Sequence, residues 1–172
     1  TICLFTSSFK SVGKKVCISR KASFYGAEKM IIGDNVRIDD FCILSGNITL
    51  GSNIHISAYV ALYGSHGIVL EDYTGVSPYS VIYSAMDDFL GDYLIGPIHD
   101  ESLTNVKGDA VVLRKYSQVG THSVIFPGVQ IGEGAVVGAM SLVKKNVQEW
   151  TIVFGQPAKF MKNRSKKLLD LI

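Results

Sequence analysis

The side chains in this chain best suited to proton transfer are four histidines, His55, His66, His99 and His122, and acids among which Asp87 and Asp88 stand side by side. Histidine is the usual general base toward a hydroxyl, because its ordinary pKa lies close to working pH. A single surface histidine is nevertheless more often a solvated or turn residue than a catalyst. Asp87 and Asp88 could orient a histidine, bind the hydroxyls of a ligand or take a proton directly. Three cysteines, Cys3, Cys17 and Cys42, are odd in number and lack metal-ligand spacing, which argues against a disulfide framework or a zinc site and for a reducing compartment. The cytoplasm is the simplest expectation.

The elements that position these side chains follow from a six-residue beat. Aliphatic residues recur at Ile32, Ile38, Leu44, Leu50, Ile56 and Leu62. After a two-residue slip they return as Leu70, Val76 and Ile82, and after a long gap as Leu113, Val119, Ile125, Ile131, Val137 and Val143. Four residues past many of them comes a second small or aliphatic residue, as at Val36, Cys42, Ile54, Val60, Thr74, Ser117, Val129 and Ala135. An amphipathic helix repeats at 3.6 residues and a half-buried strand at two, so neither holds this phase. A sandwich spaces its strands by about 8–12 residues and loses it. A short strand followed by a corner does hold it. Three such segments close a triangular coil of about 18 residues, and coils stack at the ~4.8 Å strand spacing. The periodic residues then point inward, while Gly, Asn, Asp and Pro serve the corners.

Two interruptions break the beat. One is the pair of extra residues around His66; the other is an excursion spanning 84–110 that holds Asp87, Asp88, Asp92, His99, Asp100 and Glu101. An excursion of that length is too long for a neutral connector, and loops that leave rigid scaffolds often carry function. In this frame His55 precedes inward-pointing Ile56 and faces outward. His66 lies one coil below Asp87, where stacking would pair the two. His122 occupies a corner, and His99 has no positional argument. The general base is therefore His55, His66 or Asp87, and the sequence leaves the choice open.

The runs Ile125-Phe126-Pro127-Gly128-Val129-Gln130-Ile131-Gly132-Glu133-Gly134-Ala135-Val136 and Val137-Gly138-Ala139-Met140-Ser141-Leu142-Val143-Lys144 resemble the hexapeptide-repeat acyltransferase superfamily. The stretch from Trp150 to Arg164, with Gly155-Gln156-Pro157-Ala158-Lys159, is similar to its C-terminal signature. The resemblance covers residues 16–165 and is nearest to galactoside, maltose and O-antigen-type sugar O-acetyltransferases. It implies an all-β, left-handed parallel β-helix with a long excursion loop and a short C-terminal helix, assembled as a homotrimer. The chain then reads as one domain over 1–172, with an N-terminal cap at 1–15 and a C-terminal cap and helix at 148–172.

The reaction implied is acetyl transfer from acetyl-CoA to a sugar hydroxyl in surface-polysaccharide biosynthesis. N-acetylation of a nucleotide-linked amino sugar is the alternative within enzymes, and a non-catalytic or carbonic-anhydrase-like β-helix the alternative outside acyl transfer. Where the galactoside and maltose enzymes place a catalytic histidine after a strand like Ile82-Tyr83-Ser84-Ala85, this chain reads Met86-Asp87-Asp88. His55, Asp87 and Asp88 are the catalytic candidates. The resemblance places the pantetheine arm against the late coils, near Gly120, Gly138, Ala139 and Ser141. Lys144, Lys145, Lys159 and Arg164 would meet the phosphates, and Pro157 and Ala158 the adenine. The partners implied are acetyl-CoA and a sugar or sugar-nucleotide acceptor.

Charge patterning is compatible with that donor. The net charge is +2, yet residues 31–143 carry four basic and twelve acidic side chains, while the tail from Lys144 onward carries seven basic and two acidic. A basic tail suits a phosphorylated cofactor. With an acidic body and no recognised motif, nucleic acid is a poor fit. No apolar run approaches the ~20 residues of a membrane span.

Overall fold

The computed structural model describes residues 8–171. The chain winds as a parallel β-solenoid of about seven turns. Each turn lays one short strand on each of three faces. Face one stacks Ser11–Val12, Ile31–Ile32, the second half of Ile43–Leu50, the second half of Ala61–Leu70, Val111–Leu113 and Gln130–Ile131. Face two stacks Cys17–Ile18, Val36–Ile38, Ile54–Ile56, Gly75–Val76, Gln118–Val119, Val136–Val137 and Thr151–Phe154. Face three stacks Ser23–Tyr25, the first halves of Ile43–Leu50 and Ala61–Leu70, then Val81–Tyr83, Val124–Ile125 and Leu142–Val143. The first seven residues, and Cys3 with them, lie outside the described residues, so the N-terminal cap is described only from residue 8.

The beat seen in the sequence is the inner lining. Ile38, Leu44, Leu50, Ile56, Leu62, Leu70, Ile82, Leu113, Ile125 and Ile131 are all at most 1% exposed and form one continuous core. Each buried Ile or Leu contributes roughly 1.5–3 kcal/mol relative to an exposed one, and this apolar column is the main cohesive term of the prism. Register shows where the extra residues go. Leu44 pairs with Leu62, 18 residues on, but Leu62 pairs with Ile82 and Ile82 with Ile125, so the added residues leave the coil and pairing resumes in phase.

The corners differ from the sequence expectation. Asn35, Asn53 and Gly134 do take positive φ, but so do Phe41, Tyr59, Tyr73, Tyr79, Tyr116, His122, Met140 and Trp150. A bulky residue in that region is strained by an order of 1 kcal/mol or more. Stacking offsets the strain: Phe41 on Tyr59 at 4.9 Å, Tyr59 on Tyr79 at 4.7 Å, and Tyr79 on His122 at 4.9 Å. Such pairs contribute about 0.5–1.5 kcal/mol each. Identical corner geometry on successive turns puts the rings at stacking distance, which is why aromatic side chains replace the expected Asn and Gly.

The excursion has a defined base. Ala85–Met86 and Lys107–Gly108 pair antiparallel as a neck, with a short 3-10 turn at Glu101–Leu103 beyond it. The C-terminal end also departs from the expected simple helix. Gly155, with φ 104°, reverses the chain so that Lys159–Asn163 returns antiparallel to Thr151–Phe154. This return covers the strand edge that the last coil would otherwise leave unpaired. A 3-10 stretch, Lys167–Leu171, follows it. No helix among the described residues is long and apolar enough to cross a membrane.

Candidate active site

His55 sits in the middle of Ile54–Ile56 on face two, its neighbours buried and its own side chain 52% exposed. Its Nε2 lies 2.7 Å from Asp39 Oδ2, and Asp39 Oδ1 accepts from Arg37 Nε at 2.7 Å. Arg37 and His55 are register neighbours. Partial burial works to raise the Asp39 pKa, but the bonds and charges of Arg37 and His55 outweigh it and hold the carboxyl below its usual range. Sequence reasoning missed both Arg37 and Asp39. The signal was present, because Arg37 stands one 18-residue coil before His55.

The other histidines are engaged elsewhere. The His66 backbone N–H donates to Ser84 Oγ at 2.9 Å, and Ser65 Oγ lies 3.2 Å from its Nδ1. The ring packs so closely on Gly108 that a Cβ there would stand 2.4 Å from Nδ1. The expected His66–Asp87 pair is therefore not formed: the imidazole braces the neck, and Asp87 Oδ1 accepts instead from Gly96 N at 3.3 Å. His122 stacks on Tyr79 at its corner, with Nδ1 2.9 Å from Thr121 Oγ1. His99 is exposed in the excursion.

Asp87 and Asp88 separate into two roles. Asp88 is a loop staple, accepting from Leu90 N at 2.9 Å and Asn105 Nδ2 at 3.2 Å. The Leu90 N–H is the main reason its carboxyl lies below the ordinary range, ahead of a small opposing burial effect and help from Asn105 and Lys107. Asp87 is half-buried just past the neck, and its second oxygen carries no hydrogen bond among the described residues. That oxygen can accept a proton or a ligand N–H.

The residues proposed for the donor fall into two groups. Lys144, Lys145, Pro157, Ala158 and Lys159 converge with Val143, Val147 and Phe160 around one cavity of about 620 Å³ at the C-terminal end of the prism. Three lysines around an apolar floor suit a phosphorylated nucleotide with an aromatic base. The second group is engaged within the scaffold. Buried Ser141 donates to Gly138 O at 2.7 Å and accepts from Gly155 N at 3.1 Å. A Cβ at Gly120 would stand 2.7 Å from Ala139 N, and one at Gly138 would stand 2.6 Å from the Phe154 ring. Arg164 Nη1 donates to Tyr116 O at 2.8 Å and Gly134 O at 2.9 Å, and burial lowers its pKa. Among the described residues no three His, Cys, Asp or Glu side chains are grouped as metal ligands.

No family model matches the sequence. Individual proteins do. The chain is 42% identical over 166 residues to a dTDP-4-amino-4,6-dideoxy-D-glucose acyltransferase of Escherichia coli, covering 95% of this chain and 86% of that one. It belongs to the hexapeptide-repeat acyltransferases. The solved N-acyltransferase AntD of Bacillus cereus, in complex with dTDP and 3-hydroxybutyryl-CoA, superposes with a TM-score of 0.94 at 49% identity, over 96% of this chain and 88% of that one. A hexapeptide-repeat-containing acetyltransferase of Vibrio cholerae complexed with acetyl-CoA shares the fold, with a TM-score of 0.68 at 20% identity over 93% of this chain and 74% of that one. The solenoid is thus a left-handed β-helix, and the chain is an acyltransferase that uses an acyl-CoA donor. Its acceptor class is a sugar.

Proposed function

We propose that this acyltransferase acylates the 4-amino group of a dTDP-linked 4-amino-4,6-dideoxyhexose, rather than the sugar hydroxyl first expected. The observation that carries this reading is Asp87, standing where a hydroxyl-acetylating relative would hold a histidine, with one carboxylate oxygen unengaged among the described residues. An amine is already a nucleophile once neutral, so the site needs a carboxylate to bind the ammonium and receive its proton rather than a strong base. The neutral nitrogen then attacks the thioester carbonyl carbon, the C–S bond breaks, and the CoA sulfur leaves as a thiolate that takes up the proton shed by the nitrogen as it becomes the amide. The relatives support the same acceptor: the E. coli enzyme carries it in its name, and AntD has been crystallised with dTDP-4-amino-4,6-dideoxyglucose and coenzyme A.

AntD has also been studied through substitutions at a serine and at an aspartate ten positions further on. In this chain one serine–aspartate pair has that separation, Ser77 and Asp87. Ser77 lies on face two beyond Gly75–Val76; Asp87 lies beyond Val81–Tyr83 of face three, a full strand away. At about 3.3 Å per residue the two stand on the order of 20 Å apart within one copy. An acceptor touching both therefore sits where the excursion of one copy meets face two of another, and a homotrimer supplies that boundary. Phe89, Leu90 and Ile98, all strongly exposed on the excursion, would be covered by the same contact. The donor's nucleotide takes the lysine-lined C-terminal cavity.

Acceptor choice is tested by incubating the chain and acetyl-CoA with dTDP-4-amino-4,6-dideoxyglucose and, separately, with the corresponding 4-hydroxy sugar nucleotide. Mass spectrometry should show one acetyl group on the amino sugar alone. Acetylation of the hydroxy compound at an equal rate would overturn the reading.

A further inference from the structure

Two rungs below Ser77, on the same outer face, the Arg37–Asp39–His55 cluster has no part in acyl transfer as derived above. Asp39 holds Arg37 through Nε, which leaves both Nη groups without a hydrogen bond among the described residues and the side chain 69% exposed. His55 is held through Nε2, leaving Nδ1 without a partner among them. Arg37 also walls a cleft of about 460 Å³ together with Ser19, Arg20, Lys21, Asp39 and Asp40. Asp40 engages Lys21 at 3.2 Å, whereas Arg20 has no carboxylate at ion-pair distance among the described residues. The cleft is thus lined by three cationic side chains, Arg20, Lys21 and Arg37, against two carboxylates, Asp39 and Asp40. An exposed ion pair of this kind adds little to folding, so stability gives little reason for the arrangement.

We propose that Arg37, with His55 beside it and Asp39 as their shared anchor, binds the diphosphate of the nucleotide-linked acceptor. The inference rests on the acceptor assigned above. Distance supports it. Two rungs at ~4.8 Å put Asp39 about 10 Å from Ser77, and Arg37, two residues back along the same strand, about 12 Å from it. In a 4-aminohexose, ordinary bond lengths place the amine about 7–9 Å from the two phosphorus atoms. An amine reacting near Ser77 therefore delivers its diphosphate to Arg37. Direction supports it too, because the donor cavity lies at the C-terminal end and leaves the N-terminal side of Ser77 for the acceptor. A guanidinium pinned by Nε presents its two Nη groups as a fixed fork, the geometry that suits bidentate phosphate binding. The Asp39 charge, which alone would repel phosphate, is already shared between Arg37 and His55. His55 is then an acceptor-binding residue and not the general base.

Coenzyme A also carries a diphosphate, so the test must separate the two substrates. Wild type, Arg37→Gln and Arg37→Lys are compared by steady-state kinetics with dTDP-4-amino-4,6-dideoxyglucose and acetyl-CoA, and by calorimetric titration with dTDP. Arg37→Gln should raise the KM for the sugar nucleotide and the Kd for dTDP about tenfold to a hundredfold, the scale of a lost charge-assisted bond. The KM for acetyl-CoA should stay within about threefold, and Arg37→Lys should recover part of the affinity. Unchanged dTDP affinity in both variants would overturn the assignment. So would a rise confined to the acetyl-CoA KM. A wild-type chain with no affinity for dTDP would instead bring down the acceptor reading, and this inference with it. If Arg37→Gln proves unstable on heating, Arg37→Lys still decides, since it keeps the charge and loses the fork.

Discussion

Replacing Asp87 by Asn separates proton acceptance from architecture. The amide is isosteric, and its oxygen can still accept from Gly96 N, a contact that is already long at 3.3 Å. Asp87 is half-buried and has no ion pair among the described residues, so the fold should lose less than about 1 kcal/mol. The rate should fall much further, by about 10²–10⁴-fold, because the amide can neither hold the ammonium by charge nor take its proton. The shortfall should also depend on pH. If the sugar amine titrates like an α-amino group, near 7.7–8.0, only about a tenth to a sixth of it is neutral at pH 7. Between pH 7 and pH 9 the Asn variant should therefore regain about sixfold to tenfold, as the acceptor arrives already deprotonated. Thiol release from acetyl-CoA, followed at saturating sugar nucleotide across that range, measures both effects. A variant within threefold of wild type at pH 7 would remove Asp87 from the chemistry. A large loss that stays flat with pH would assign Asp87 to positioning.

Other expectations concern the scaffold. Thr74 Oγ1 and Ser117 Oγ are buried inside the prism without hydrogen-bond partners among the described residues, so Thr74→Val should be neutral or stabilising by up to about 1 kcal/mol in urea titrations. Gly134→Ala should destabilise by about 1–3 kcal/mol, because φ is 61° and the new Cβ would stand 2.5 Å from the Trp150 ring; an unchanged Tm would contradict this. Asp39 has a lowered pKa when folded, so its contribution is present above the unfolded carboxylate value and lost as pH falls through the folded one. The urea midpoint of Asp39→Asn should consequently drop less than that of wild type between about pH 5 and pH 3. Burial pushes the Cys42 thiol up to about 11, whereas Cys17 is exposed. Mild alkylation of the native chain at neutral pH should therefore label Cys17 and spare Cys42, as peptide mapping would show.

The prism was legible because its lining is periodic: each of Ile38, Leu44, Leu50 and Ile56 is dictated by the same inward geometry, and the phase survives both interruptions. The outward position of His55 followed from the same phase. Side-chain partners did not. The phase puts His66 one coil below the start of the excursion, yet whether its ring turns to Asp87 or to Gly108 depends on how the neck closes, which no periodicity encodes. The Arg37–Asp39–His55 cluster is legible only when residues 18 apart are stacked, a pairing that no histidine reveals taken singly. Lys144, Lys145 and Lys159 are legible as a charge cluster and do line one cavity, but Arg164 is not separable from them in sequence, because its carbonyl partners come from corners 30 and 48 residues away. Ser77 offered no signal of its own, being one small residue among many at a corner.

The neck at Ala85–Met86 and Lys107–Gly108 has a consequence for engineering. Everything beyond it projects from one corner, and the coils on either side pair directly through Ile82 and Ile125 as though nothing intervened. Residues 87–106 therefore form a cassette whose length and composition can change while the spool beneath keeps its winding. Grafting the corresponding segment from another member of the family at those four positions should transfer acceptor preference and leave donor use and melting behaviour with the host.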